Sequence, residues 1–137
     1  ESGTVFVAGH AASAGAGDAY LAAEAERQLA VIRRRRARYS ALRPAISAQG
    51  RTVILIDDGL ATGATARMAI QEIRRQAPAR LVCAMPVAAV DAAAAIAPLA
   101  DAFICLQTPA DFRGVGQFYR DFAQVDDAEV ERLLKPA

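Results

Sequence analysis

Three short apolar runs constrain this chain most: Thr52 to Ile56, Arg80 to Pro86 and Ala102 to Leu106, with helical spacing between them. Strand, helix, strand, helix, strand in that order predicts a parallel sheet. Parallel neighbours need a crossover long enough to hold a helix, and such crossovers are right-handed. The unbroken apolar character of Thr52 to Ile56 predicts a strand buried on both faces, and Ala102 to Leu106 reads as another buried strand. The intervening helices run from about Thr65 to Gln76, stopped by Pro78, and from a cap at Asp91 to near Pro98.

The flanking segments are read in the same way. Thr4 to Ala8 is a short β-type run, and Gly9 to Gly17 is a small-residue loop. Asp18 caps a helix to about Tyr39, on which Leu21, Ala25, Leu29, Ile32 and Tyr39 recur at helical spacing. Leu42 to Gly50, with Pro44, is a connector. Asp126 with Glu129 three residues on makes a capping-box-like start for a last helix to about Leu134. The domain expectation is therefore one domain over 1–137: a loop or hairpin remnant over 1–17, a helix over 18–39, and a binding core over 52–137.

Hydrophobic residues make up 54% of the 137, yet no apolar run reaches the length of a membrane span, so no membrane partner is expected. A net charge of +1 gives no global pull toward nucleic acid. The two cysteines, Cys83 and Cys105, fall in apolar runs and are expected as buried free thiols, which fits a cytoplasmic location. No signal peptide is evident, and a chain opening at Glu1 is compatible with a processed product or a fragment.

Chemistry concentrates in Val53-Ile54-Leu55-Ile56-Asp57-Asp58-Gly59-Leu60-Ala61-Thr62-Gly63-Ala64-Thr65. Ligands of open parallel sheets sit beyond the carboxyl ends of the strands, where this loop falls. Gly59 and Gly63 permit tight turns and close backbone approach, and Ala61 and Ala64 add no bulk. Thr62 and Thr65 offer hydroxyls to phosphate oxygens, and the amides of 62–65 open a helix whose dipole favours an anion. Asp57 and Asp58 would repel a phosphate unless something lay between, and ribose hydroxyls supply that spacing by donating to carboxylates. A diol on two acids with a phosphate on the next turn describes ribose 5-phosphate. The same acids suit Mg2+, held through water. The loop is neither a P-loop nor a dinucleotide fingerprint, since Gly-x-x-x-x-Gly-Lys and Gly-x-Gly-x-x-Gly are both absent. Each half alone also reads as a plain strand end or a helix cap.

Residues 53–65 resemble the signature of type I phosphoribosyltransferases: four apolar residues, two acids, then a small-residue loop with Thr-Gly-x-Thr. The wider chain, about 20–135, resembles one bacterial branch of that family, found alone or fused to hydrolase-type domains. Gly50-Arg51-Thr52-Val53, Met85-Pro86-Val87-Ala88, and Phe112 to Phe122 followed by Asp126-Asp127-Ala128-Glu129-Val130 carry that match. The resemblance implies an α/β, parallel-sheet, phosphoribosyltransferase-like (Rossmann-like) fold, incomplete at its amino terminus. It implies that Asp57 and Asp58 hold the ribose diol of phosphoribosyl pyrophosphate, catalytically placed and sharing Mg2+, while Ala61 to Thr65 hold the 5-phosphate and Gly59 joins the substrate-binding residues. It also implies transfer to a nitrogenous base with release of pyrophosphate. Phe112 to Phe122 resembles the base-side segment of the purine enzymes, with Phe118 and Tyr119 as stacking residues. Asp121 stands one residue off the purine spacing, so the acceptor is left open, and the aromatics read equally as core or interface residues.

A basic, glycine-containing loop such as Pro-Arg-Gly-Gly, which grips pyrophosphate in that family, does not occur in these residues. Weak or absent turnover is therefore expected of this chain alone. The alternatives are a non-catalytic module that binds phosphoribosyl pyrophosphate or a nucleotide monophosphate, and a proteolytic fragment of a larger transferase. A half sheet also predicts a homodimer that covers the exposed edge or the apolar helix faces. Arg33 to Arg36, with Arg27, Arg38 and Arg43, spread around their helix and read as a solvated face paired with Glu24 and Glu26, with RNA or an acidic partner as the other reading. His10, the one histidine, has no expected catalytic or metal role, and Ser13, Ser40 and Ser47 lack the context of a nucleophile elbow.

Overall fold

The computed structural model describes residues 17–135. The Thr4 to Ala8 run, most of the Gly9 to Gly17 loop, Ser13 and His10 lie outside them. By internal contacts the described residues divide into two compact units, one over Ser47–Phe122 and the other over the described residues before Ser47 and after Phe122. Among the described residues no helix is long and apolar enough to cross a membrane.

The Ser47–Phe122 unit is a parallel three-stranded sheet with helices between its strands. Strand β1 (Thr52–Ile56) leads to helix α2 (Ala64–Arg75), β2 (Arg80–Val87), α3 (Val90–Ile96) and β3 (Ala102–Gln107). The order is β1-β2-β3, both pairings parallel, with Leu55 opposite Cys83 and Cys83 opposite Phe103. The mixed α/β class and the parallel sheet are those expected from the alternation of runs.

Burial explains why the sheet holds. β2 alternates strictly, so Leu81, Cys83, Met85 and Val87 all point to one face, each no more than 2% exposed. Ala66 and Ile70 of α2 and Ala92 and Ile96 of α3 join the same core. Each large aliphatic side chain buried there contributes about 1.5–3 kcal/mol. Burial also pushes the Cys83 thiol pKa up, as expected of a thiol in an apolar core.

The other face corrects an expectation. β1 and β3 are covered on one side only: Ile54 is 59% exposed, Ile56 71%, Ile104 52% and Leu106 76%. Continuous apolar sequence reflected a sheet face that the described residues leave open. Cys105 is likewise only half-buried, its thiol donating to the Gln107 carbonyl at 3.1 Å.

One polar knot ties the helical layer to the strands. Both terminal nitrogens of Arg74 donate to the Asp101 carboxylate at 3.0 Å, and the same carboxylate accepts from the Leu81 amide at 2.6 Å. The Arg74 guanidinium first, and the Leu81 amide second, hold the Asp101 carboxyl below its ordinary value. Beyond α2, Ala77 takes a left-handed φ of 51° and its carbonyl accepts from the Gly50 amide at 3.0 Å.

The second unit comprises α1 (Asp18–Leu42) and α4 (Asp127–Leu134) among its described residues. Half of the capping box forms: Asp126 Oδ1 accepts from the Glu129 amide at 2.8 Å, while the Glu129 carboxylate turns to Arg132 instead of reaching back. Two other caps do not. Gly17 stands at the amino end of α1, with Asp18 already helical, and Ala89 caps α3, with Asp91 inside its first turn. The arginines also find different partners. Glu24 takes Arg27, but Arg35 reaches Asp127 at 3.0 Å, Arg38 reaches Glu131 at 2.6 Å, and Arg43 Nε donates to the Leu134 carbonyl at 3.0 Å. The Tyr39 hydroxyl also donates to Asp127 at 2.8 Å, and that bond is the largest cause of a lowered Asp127 pKa.

Candidate functional site

Strand β1 stops at Ile56 because the next two residues are acids that face solvent more than core. Asp57 is half-buried and Asp58 exposed, and Asp57 Oδ1 accepts from the Asp58 amide at 3.1 Å. The chain is recaptured at Leu60, which is 2% exposed and forms a parallel bridge to Ala88. Its amide donates to the Val87 carbonyl at 3.0 Å, and its carbonyl accepts from the Ala89 amide at 2.9 Å. The acids thus occupy a short turn anchored at both ends.

Gly59 lies inside that turn, where no larger residue fits. A Cβ there would come within 2.9 Å of both Val115 Cγ1 and the Val87 carbonyl oxygen. Gly63 opens α2 with φ 74°, and a Cβ on it would lie 3.0 Å from Ile96 Cγ1. Both glycines are needed where the sequence put the close approaches. No side chain caps α2 with a close bond; Thr62 Oγ1 stands 3.4 Å from the Ala64 amide. The first turn of α2 carries no acid, so its amides and dipole present an uncancelled positive end.

Asp57 to Ala66, together with Val115, line one cavity of about 320 Å³. All the candidates from Asp57 to Thr65 therefore line one cavity, the two acids together with the loop and the first turn of α2. Among the described residues no group of three or more His, Cys, Asp or Glu is gathered for a metal. Two carboxylates are nonetheless the share that Mg2+ takes from a protein when substrate oxygens and waters complete its shell, so the donor set fits.

Phe118 and Tyr119 are placed elsewhere. They line a separate cavity of about 210 Å³ with Pro86, Val87, Leu106 and Gln107. The Phe112 and Phe118 rings stack at 5.7 Å, and Tyr119 packs on Phe122 at 5.2 Å, so the aromatics pair with each other. Their loop is closed by Gln117, whose side-chain oxygen accepts from the Arg113 amide at 3.1 Å. The Tyr119 hydroxyl donates to the Asp58 carbonyl at 2.8 Å, which ties this segment to the acid turn. Sequence reasoning missed Val115 as a wall of the first cavity. The signal was a β-branched residue between Gly114 and Gly116, a bulky side chain on a backbone free to come close.

Two curated proteins of Mycobacterium tuberculosis, "Putative phosphoribosyl transferase MT0597" and "Putative phosphoribosyl transferase Rv0571c", are each 42% identical to this chain over 111 residues, 81% of its length. The chain is phosphoribosyltransferase-like in sequence. It spans about a quarter of those relatives, the match covering 25% of each. The solved structure of TT1426 from Thermus thermophilus superposes with a TM-score of 0.76 at 38% identity, over 97% of this chain and 63% of that one. The fold assignment therefore holds for a phosphoribosyltransferase-like sequence on a parallel α/β sheet. No protein-family model matches the chain.

Proposed function

We propose that the 320 Å³ cavity binds the ribose 5-phosphate part of phosphoribosyl pyrophosphate in the manner of a type I phosphoribosyltransferase. One observation carries this reading: two carboxylates and an uncapped helix amino terminus share the cavity. A phosphate alone would be repelled by the acids, and a sugar alone would leave the amides unsatisfied. A sugar phosphate answers both, with its 2- and 3-hydroxyls on Asp57 and Asp58 and its phosphate at Ala61 to Thr65. Hydrogen bonds to charged groups are worth about 1.5–3 kcal/mol each, enough to make the diol a large part of the affinity.

The reaction class is displacement of pyrophosphate at the anomeric carbon by a nitrogenous base. The transition state develops positive charge on the ribosyl ring, and Asp57 and Asp58 are placed to favour it electrostatically. The small-residue loop fixes the phosphate end and so limits the poses the ring can take. Mg2+, held through Asp57, Asp58 and substrate oxygens, would supply charge neutralisation for the pyrophosphate. The base is left open, because Phe118 and Tyr119 pair with other aromatic rings.

Binding without transfer is a second reading, favoured by the lack of a Pro-Arg-Gly-Gly-like stretch in these 137 residues. Calorimetry with phosphoribosyl pyrophosphate, ribose 5-phosphate and pyrophosphate separates the two. Binding of the first two without pyrophosphate supports a half site, with weak or no release of pyrophosphate from a base mixture. Transfer at the rate of a longer relative would overturn that expectation, and no binding of either sugar phosphate would overturn the site. A homodimer over the open sheet face, in the cytoplasm, completes the proposal.

A further inference from the structure

The segment after β3 touches the acid turn at two successive points. Val115 packs where a Cβ on Gly59 would sit, and the Tyr119 hydroxyl holds the Asp58 carbonyl at 2.8 Å. The carbonyl of Asp58 and the nitrogen of Gly59 belong to one peptide plane, so both contacts bear on that plane. The Asp58 side chain leaves the backbone one bond before it. Tyr119 is itself seated, its ring 5.2 Å from Phe122, and it lines the neighbouring 210 Å³ cavity rather than the one holding the acids.

We propose that Tyr119 is a positioning residue: its hydroxyl aims the Asp57–Asp58 turn at the sugar diol, and it acts through that turn rather than by touching the sugar. This rests on the ribose reading above and adds a residue to it. With its ring packed on Phe122 and its hydroxyl bound to a main-chain oxygen, Tyr119 is less suited to stacking on a base, the role that resemblance alone suggested. The consequence is specific. Losing the hydroxyl should blunt recognition of the diol and leave the phosphate end, built by the first turn of α2, as it was.

Tyr119→Phe keeps the ring and removes only the donor. The probes are ribose 5-phosphate and 2-deoxyribose 5-phosphate, which share the phosphate and differ by one hydroxyl of the diol. The wild-type chain should prefer ribose 5-phosphate by about tenfold or more, as a hydrogen bond to a charged group allows. Tyr119→Phe should reduce that preference to about twofold or less, with 2-deoxyribose 5-phosphate binding unchanged. Phe122→Leu, which loosens the ring's seat without touching the hydroxyl, should give an intermediate preference. A merely structural role would lower the melting temperature or weaken both sugars equally while keeping the preference. If the wild type discriminates and Tyr119→Phe discriminates equally well, the positioning role is overturned and the ribose reading stands. If the wild type binds both sugars equally, the diol reading fails and the positioning role goes with it.

Discussion

A Cβ on Gly63 would lie 3.0 Å from Ile96 Cγ1, at a position where the backbone already has φ 74°. The residue that opens α2 is thus required to be glycine twice over, by conformation and by space. Ile96 is fully buried in the core, so it cannot retreat cheaply. Gly63→Ala is expected to destabilise the chain by about 1–3 kcal/mol, through left-handed strain and crowding. It should also weaken ribose 5-phosphate binding, because the residues it shifts line the cavity. Denaturant unfolding and calorimetry check both; an alanine variant with unchanged midpoint and affinity would refute the fit.

Ala77 presents the opposite case. It adopts φ 51° just past α2 although it is not glycine, a position where Cβ is unfavourable. Ala77→Gly should raise stability by up to about 1 kcal/mol, the gain in the folded state being partly offset by a looser unfolded chain. Chemical denaturation should show a higher midpoint with the same slope. A fall would mean that the left-handed turn is not the folded conformation.

The Arg74–Asp101–Leu81 knot predicts acid sensitivity. Asp101 has its pKa lowered in the folded chain from an ordinary 3.8. A carboxyl depressed on folding contributes stability above its unfolded pKa, and that contribution is lost as pH falls through the lower folded value. The melting temperature should therefore drop on acidification below about pH 4, and Asp101→Asn should remove part of that slope while lowering stability at neutral pH. Parallel melting curves for the two proteins across the acid range would contradict the assignment.

What the sequence made legible was local. The strand ending in two acids, the tight glycines and the Asp126 cap of the last helix depend on neighbours within a few residues, and the structure has them. What it hid depends on distant partners. Arg38 meets Glu131 across 93 positions, whereas the nearby Glu24 serves Arg27 as its sequence proximity suggested. An apolar strand states that a face can be buried, not that anything covers it; Ile54 and Leu106 show the difference. Tyr119 looked like a stacking residue because aromatic type reports a ring, whereas the hydroxyl's target at Asp58 lies 61 positions away.

The open sheet face predicts self-association. Ile54, Ile56, Ile104 and Leu106 are all more than half exposed on it, and contiguous apolar surface of this kind favours burial against another molecule. Sedimentation should show a dimer forming as concentration rises, and Ile104→Lys should shift the chain toward monomer without changing its fold. A wild-type monomer throughout would contradict the homodimer.

The central claim is that Asp57 and Asp58 hold a ribose diol while the start of α2 holds the phosphate. Titration calorimetry of ribose 5-phosphate against the wild type and the Asp57→Asn, Asp58→Asn double variant tests it most directly. The wild type should bind, and the variant should lose about tenfold or more in affinity, since charged hydrogen bonds are removed. Equal or tighter binding by the double variant, as expected if the acids only repel the phosphate, would contradict it.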